Sequence, residues 1–348
     1  MPNIFILLFL LTFSGLSAQN TFQEIDDESK KVRYKGDLNL LVNELTSGID
    51  DDIDKARAIY VWITENIGYD IKTYNKGKKR ITFKCKSQMD CALKQIEFEN
   101  KLIERALRRK KAICSGYSLL FKRMCDLAKI NCQVIDGYIK TKPTHAGRLG
   151  VLDHAWNRIE INNEFYYLDL TWASGYVEKY KNDKLKKFIK QRNDFYWLTP
   201  IEKLTIDHFP EKTDVIPKTN ISKEDFKNQP YIETSIIPLI DLEFPQKGML
   251  TYSVSDTIHF KFKLNKRVDN IQINTNLKRN PKFLFVDKKN KTTFNQKAFN
   301  LQRYVSYSRN DSTYEFYYVI DNENLKYIDI LWDYEPKIRY LVEIKEPE

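Results

Sequence analysis

Glycine and proline are scarce: 11 of each in 348 residues, which excludes collagen-like and Pro/Gly-rich disordered chains. Only four histidines occur, at 145, 154, 208 and 259, so candidates for a neutral-pH proton carrier are few. There are five cysteines and no CxxC pair, which argues against a structural zinc site. No RNP, zinc-finger or basic-zipper pattern is present, and nothing marks a specific nucleic-acid partner. Apolar runs are short apart from residues 4–13, and the mean hydropathy of −0.54 excludes a polytopic membrane protein. No internal repeat or low-complexity tract is found.

Aromatic residues are plentiful, with 21 Tyr, 20 Phe and 5 Trp, enough for sizeable cores. A length of 348 residues corresponds to about two domains. The formal net charge is +10, so an anionic partner such as an envelope polymer is admissible. Dispersed basic residues are equally the mark of a solvated Lys-rich surface.

The run IFILLFLLTF at 4–13 is too short to span a bilayer, which takes about 20 residues. It has the length of a signal-peptide core and is followed by Gly15, Ser17 and Ala18. Residues 1–18 are therefore read as a signal peptide, although no Lys or Arg precedes the run. The expected mature chain begins near Gln19, carries no transmembrane span, and is exported to a periplasm, the cell envelope or the medium. All five cysteines, at 85, 91, 114, 125 and 132, would meet an oxidising compartment. Cys85 and Cys91 flank a helix start; whether they bridge is open. Cys125 and Cys132 read as buried small hydrophobes or as disulfide partners.

Leu38, Leu41, Val42 and Leu45 have helical spacing before Gly48. The acidic run Asp50–Asp54 reads as a helix N-terminus, cheaper than a calcium site, with Ile53, Ala56, Ile59, Tyr60 and Ile63 facing inward. Ser87 opens a helix whose apolar face is expected to include Leu93, Ile96, Ile103, Ala106 and Leu107. Another helix is expected from about Cys114 to Lys129, then strands over 132–140, 154–161 and 164–171. Residues 211–231 are polar with two prolines and read as a linker. Beyond them the period is two, as at Ile258–Lys263, Tyr314–Ile320 and Tyr327–Trp332, which predicts a small β-sandwich. The division is 1–18 signal peptide, 19–210 catalytic domain, 211–231 linker and 232–348 sandwich.

Cys114 stands where a helical pattern begins, and unpaired N–H groups at a helix start favour a thiolate. Gly116 follows one turn in and permits a close approach. His154-Ala155-Trp156-Asn157 and Leu168-Asp169-Leu170-Thr171-Trp172 flank a two-residue Asn162-Asn163 turn. Extended in that register, the hairpin pairs Trp156 with Asp169 and His154 with Thr171, making His154 and Asp169 diagonal neighbours. A carboxylate there can hold the imidazole tautomer while its other nitrogen faces a thiol.

CSGYS at 114–118, HAWN at 154–157 and LDLTW at 168–172 resemble the transglutaminase-like superfamily of papain-type Cys-His-Asp enzymes. Ala58–Ile63, Ile67–Asp70 and Phe195–Pro200 with His208-Phe209-Pro210 resemble its kyphoscoliosis-peptidase-type branch. The likeness covers roughly residues 50–210. It implies an α+β core with a nucleophile helix packed on an antiparallel sheet, and a triad of Cys114 (nucleophile), His154 (general base and acid) and Asp169 (orienting group). It implies no cofactor or metal; the calcium sites of animal transglutaminases have no visible counterpart. The Cys114 backbone N–H is one oxyanion donor, with Gln88 the side-chain candidate. A basic segment, 72–110, departs from the pattern. The expected activity is hydrolysis of a peptide or amide through a thioester. The alternatives are a catalytically silent binding or scaffold module, or an acyl transferase that cross-links proteins.

Overall fold

The computed structural model describes residues 22–77, 83–180, 184–216, 221–286 and 291–345. The expected signal peptide lies outside them. The chain divides into two compact units: the described part of Met1–Val134 with Trp156–Trp197, and Ile135–Ala155 with the described part of Leu198–Glu348. No helix among the described residues is long and apolar enough to cross a membrane.

Helices dominate the first unit. Asp51 caps Asp52–Asn66 by accepting from the amides of Ile53 and Asp54, as the acidic run predicts. Ala56, Ile59, Tyr60 and Ile63 are fully buried. Ser87 caps Gln88–Arg109, and Cys85 and Cys91 form a disulfide across that helix start. Ile103, Ala106 and Leu107 are buried, but Leu93 and Ile96 are about half exposed. The apolar face expected to be continuous is covered only in its C-terminal half. Periodicity selects a helix face and does not say how far a neighbour extends along it.

The helix Cys114–Leu127 buries Tyr117, Leu120, Phe121, Met124 and Cys125. It packs on the strands: Asn157 Nδ2 donates to the Ser118 carbonyl at 3.1 Å and to that of Gln133 at 3.3 Å. In this unit residues 157–161 pair antiparallel with Glu164–Leu168; within the second unit residues 137–139 pair antiparallel with His208–Pro210. A helix packed on antiparallel strands is the expected α+β core. Asn162 and Asn163 adopt φ of 54° and 64°, the two left-handed residues that a tight hairpin turn needs. The register pairs Asn157 with Leu168 and Ile161 with Glu164.

One ion cluster ties the helix Gln23–Lys31 to this unit. Arg57 Nε and Nη2 reach both oxygens of Asp26 at 2.7 and 2.8 Å, and Nη2 reaches Asp194 at 2.9 Å. Arg192 adds a contact to Asp26 at 2.6 Å. Burial alone would disfavour the Arg57 charge. Its hydrogen bonds to Asp26 and Asp194 outweigh burial and hold its pKa above the usual range.

In the second unit, two sheets account for the period-two pattern. One runs Ile240–Phe244, Thr257–Leu264, Thr313–Val319, Ser308–Asn310; the other runs Met249–Tyr252, Glu335–Ile344, Tyr327–Trp332, Ile271–Thr275. Phe260 meets Tyr340 at 5.5 Å and Phe262 meets Trp332 at 5.1 Å between ring centroids, joining the two sheets through an aromatic core. The pairing is antiparallel except that Met249–Tyr252 runs parallel to Glu335–Ile344.

Within 211–231, expected as a linker, the described residues include the helix Lys223–Asn228. Ser222 and Asp225 form a capping box on the helix Lys223–Asn228. Phe226 is fully buried and stacks on Phe209 at 5.2 Å. Phe226 stands between polar residues and anchors this helix, a signal too sparse for periodicity to detect.

Lys140 is 1% exposed. Its ammonium donates to the carbonyls of Gln229 at 2.9 Å and Lys227 at 3.2 Å and lies 4.9 Å from the Phe226 ring centre. Burial pulls its pKa down to about 7. The unfolded chain then binds a proton that the folded chain has lost between pH 7 and about 10.4. Folding stability from this group therefore rises with pH across that window and is flat below it. The carbonyls and ring favour the ammonium and moderate that gain. Urea unfolding of wild type and Lys140→Met at pH 7 and pH 10 checks this. The wild type should gain stability relative to the variant at the higher pH, and a constant difference would refute it.

Candidate active site

In the first unit, Cys114 is the first residue of its helix and is 4% exposed. The residue before it, Ile113, supplies no side-chain cap. The sulfur therefore sits where main-chain N–H groups and the helix dipole favour negative charge. Gly116 serves the local geometry: a Cβ there would fall 2.9 Å from the Ala112 Cβ. The close approach expected at this glycine is made by the strand leading into the helix.

The helix Leu170–Ala173 packs against the Cys114 helix, and Asp169 is its cap. Asp169 is fully buried, and its Oδ1 accepts from the amides of Thr171 at 2.8 Å and Trp172 at 3.2 Å. Its own amide donates to the Tyr196 carbonyl at 3.1 Å. Aromatics enclose this end of the unit. Trp172 meets Tyr196 edge-on at 5.6 Å, and the Tyr117 hydroxyl donates to the Ile67 carbonyl at 2.8 Å. Burial raises the pKa of the Tyr60 phenol far above its ordinary value, with the Asp194 charge adding to it. Tyr117 is likewise raised by burial. Both phenols stay protonated and neutral at physiological pH.

The sequence-derived ladder needs correction here. It ends at Asn157 and Leu168; Asp169 leaves the strand to cap a helix, and Thr171 is helical. The register stops one pair short of Trp156 and Asp169. The cap explains the departure: an Asp followed by two amides in reach starts a helix more readily than it continues a strand. Gln88, the side-chain oxyanion candidate, is an exposed residue at the start of its helix.

Cys125 and Cys132 are buried thiols, unbridged. Burial drives the Cys125 pKa far above its ordinary value, and the neighbouring Cys132 thiol adds to the effect. That is the inert behaviour expected of a packed cysteine.

His154 belongs to the second unit, in the strand Val151–Ile161, and is 6% exposed. Beside it lies His208, 1% exposed, with ring centroids 5.4 Å apart and planes at 57°. His208 Nδ1 is 2.5 Å from Asp207 Oδ1. The Asp207 carbonyl accepts from the Lys140 amide at 2.9 Å. In the sequence His208 stands only within the motif His208-Phe209-Pro210. The signal was that it is one of four histidines and follows an acidic residue. The other two histidines stand elsewhere. His145 accepts from the Thr141 amide at 3.1 Å, and His259 pairs with Glu315 at 2.6 Å on a sandwich strand.

Residues 40–172 match the model of the transglutaminase-like superfamily, and this part of the chain is a transglutaminase-like domain. Among known proteins, the chain is 32% identical over 233 residues to the kyphoscoliosis peptidases of Mus musculus and Homo sapiens. Those alignments take in 66% of this chain and 31% of each relative, so the chain spans about a third of their length. A crystal structure of a TGase aligns with 54% of this chain and 40% of its own at 15% identity and a TM-score of 0.28.

Proposed function

We propose that the protein is an exported cysteine hydrolase of peptide or amide bonds, with Cys114 as nucleophile, His154 as general base and acid, and Asp169 as orienting carboxylate. The observation that carries this is the placement of Cys114 as the first residue of a helix whose N-cap residue, Ile113, makes no side-chain cap. The peptidase designation of the two mammalian relatives supports a peptide-like substrate. The Cys85–Cys91 bridge supports an oxidising compartment.

In this reading the Cys114 thiolate attacks the carbonyl carbon, and the Cys114 amide N–H stabilises the oxyanion. The C–N bond breaks as His154 protonates the leaving amine, leaving a thioester on Cys114. His154 then takes a proton from water as the water oxygen attacks the thioester. The carboxylic acid departs and the thiolate is restored. Transfer to a Lys amine would use the same acyl-enzyme; nothing in the sequence marks an amine site, so hydrolysis is preferred.

The test is intact-protein mass spectrometry after incubation with a peptidyl acyloxymethyl ketone, followed by peptide mapping. One adduct on Cys114, absent in Cys114→Ala, is expected. Modification spread over Cys114, Cys125 and Cys132 in denaturant, with none in the folded protein, would favour a silent binding module. N-terminal sequencing from an exporting host should begin near Gln19; an intact Met1 would remove the export proposal.

A further inference from the structure

Within the second unit, one feature of the site has no role in the triad scheme. Asp207 and His208 are adjacent in sequence, 2% and 1% exposed, and joined at 2.5 Å through His208 Nδ1. A buried carboxylate is costly unless it is hydrogen-bonded, and a carboxylate on Nδ1 fixes which ring nitrogen carries the proton. The main chain locks both residues. The Asp207 carbonyl takes the Lys140 amide, and His208 pairs with Ile139 in the antiparallel ladder. The imidazole held in this way lies against the ring of His154, 5.4 Å between centroids.

We propose that Asp207 and His208 form a positioning pair for His154: the carboxylate sets the tautomer and ring plane of His208, and His208 fixes the orientation of the His154 imidazole. Neither residue touches substrate in this scheme. The inference rests on His154 being the proton carrier. A catalytic imidazole must be aimed at two partners in succession, the leaving amine and then water. A ring free to rotate spends only part of its time aimed. Hydrogen-bonded partners that orient a functional histidine act through it rather than on the substrate, and their removal costs about 10–100-fold where measured in metal sites.

The test uses the full mature chain labelled with 15N-histidine. Four ring systems are expected from the four histidines, and those lost in His154→Ala identify His154. Cys114 alkylation by iodoacetamide at pH 6 is measured in parallel. For Asp207→Asn, the His154 ring nitrogen signals should shift and alkylation should slow about tenfold, with the melting temperature close to wild type. If Asp207→Asn does not fold, Asp207→Leu with His208→Phe removes the buried charge and its partner together and carries the same expectations. A variant that leaves both the His154 signals and the Cys114 rate unchanged, while His154→Ala slows the rate, overturns the positioning pair and keeps the triad. A rate unaffected by His154→Ala overturns the triad reading and this inference with it.

Discussion

Substituting His154 by alanine is expected to reduce peptide turnover by at least about 10²–10⁴-fold, the range that a positioned general acid–base contributes. The same change should slow Cys114 alkylation near pH 6, because it removes the imidazolium that would stabilise the thiolate. Asp169→Asn gives a sharper comparison. Asp169 caps the helix Leu170–Ala173, and asparagine caps about as well as aspartate. The fold should therefore survive while the carboxylate is lost, and turnover should fall by a similar factor because the amide can hold the wrong tautomer. Steady-state rates and circular dichroism on the two variants check this. Full activity in Asp169→Asn would remove Asp169 from the mechanism and leave it a cap.

The largest stability effect is expected at Arg57. Replacing it with methionine leaves Asp26, 4% exposed, with Arg192 as its remaining guanidinium partner. Breaking a buried pair from one side costs about 3–5 kcal/mol. Arg57→Lys should recover little, because a single ammonium cannot reproduce the two-pronged contact to Asp26. Asp26→Leu combined with Arg57→Met removes both charges and should be markedly more stable than Arg57→Met alone. Urea unfolding reads all three as shifts of midpoint at constant slope. Equal midpoints for wild type and Arg57→Met would mean that water replaces the lost contacts at no cost.

Local signals were legible in the sequence. Asp51, within the acidic run that marks a helix start, and Ser87 each cap a helix, and Asn162-Asn163 fixes the hairpin register through Asn157 and Leu168. Each depends on residues within a few positions of one another. The Arg57 cluster was not legible: its partners lie 31 and 137 positions away, and a lone helical arginine reads as solvated until its neighbours are known. Phe226 was hidden among polar residues for the same reason. Leu93 and Ile96 failed in the opposite sense, since the apolar pattern continues past the point where the described residues cover it. Cys114, His154 and Asp169 were named from ordered motifs. The contact of His208 with His154 joins segments 54 positions apart in the chain and has no local signature.

The Cys85–Cys91 bridge and the Cys114 thiol place opposite demands on the bench. A reductant strong enough to keep Cys114 assayable also threatens the bridge at the start of Gln88–Arg109, while a purely oxidising buffer protects the bridge and exposes Cys114 to sulfenic acid formation. The redox state of the preparation is therefore an experimental variable to be measured before any rate is compared. A thiol count should give three per chain with the bridge intact and five with it open.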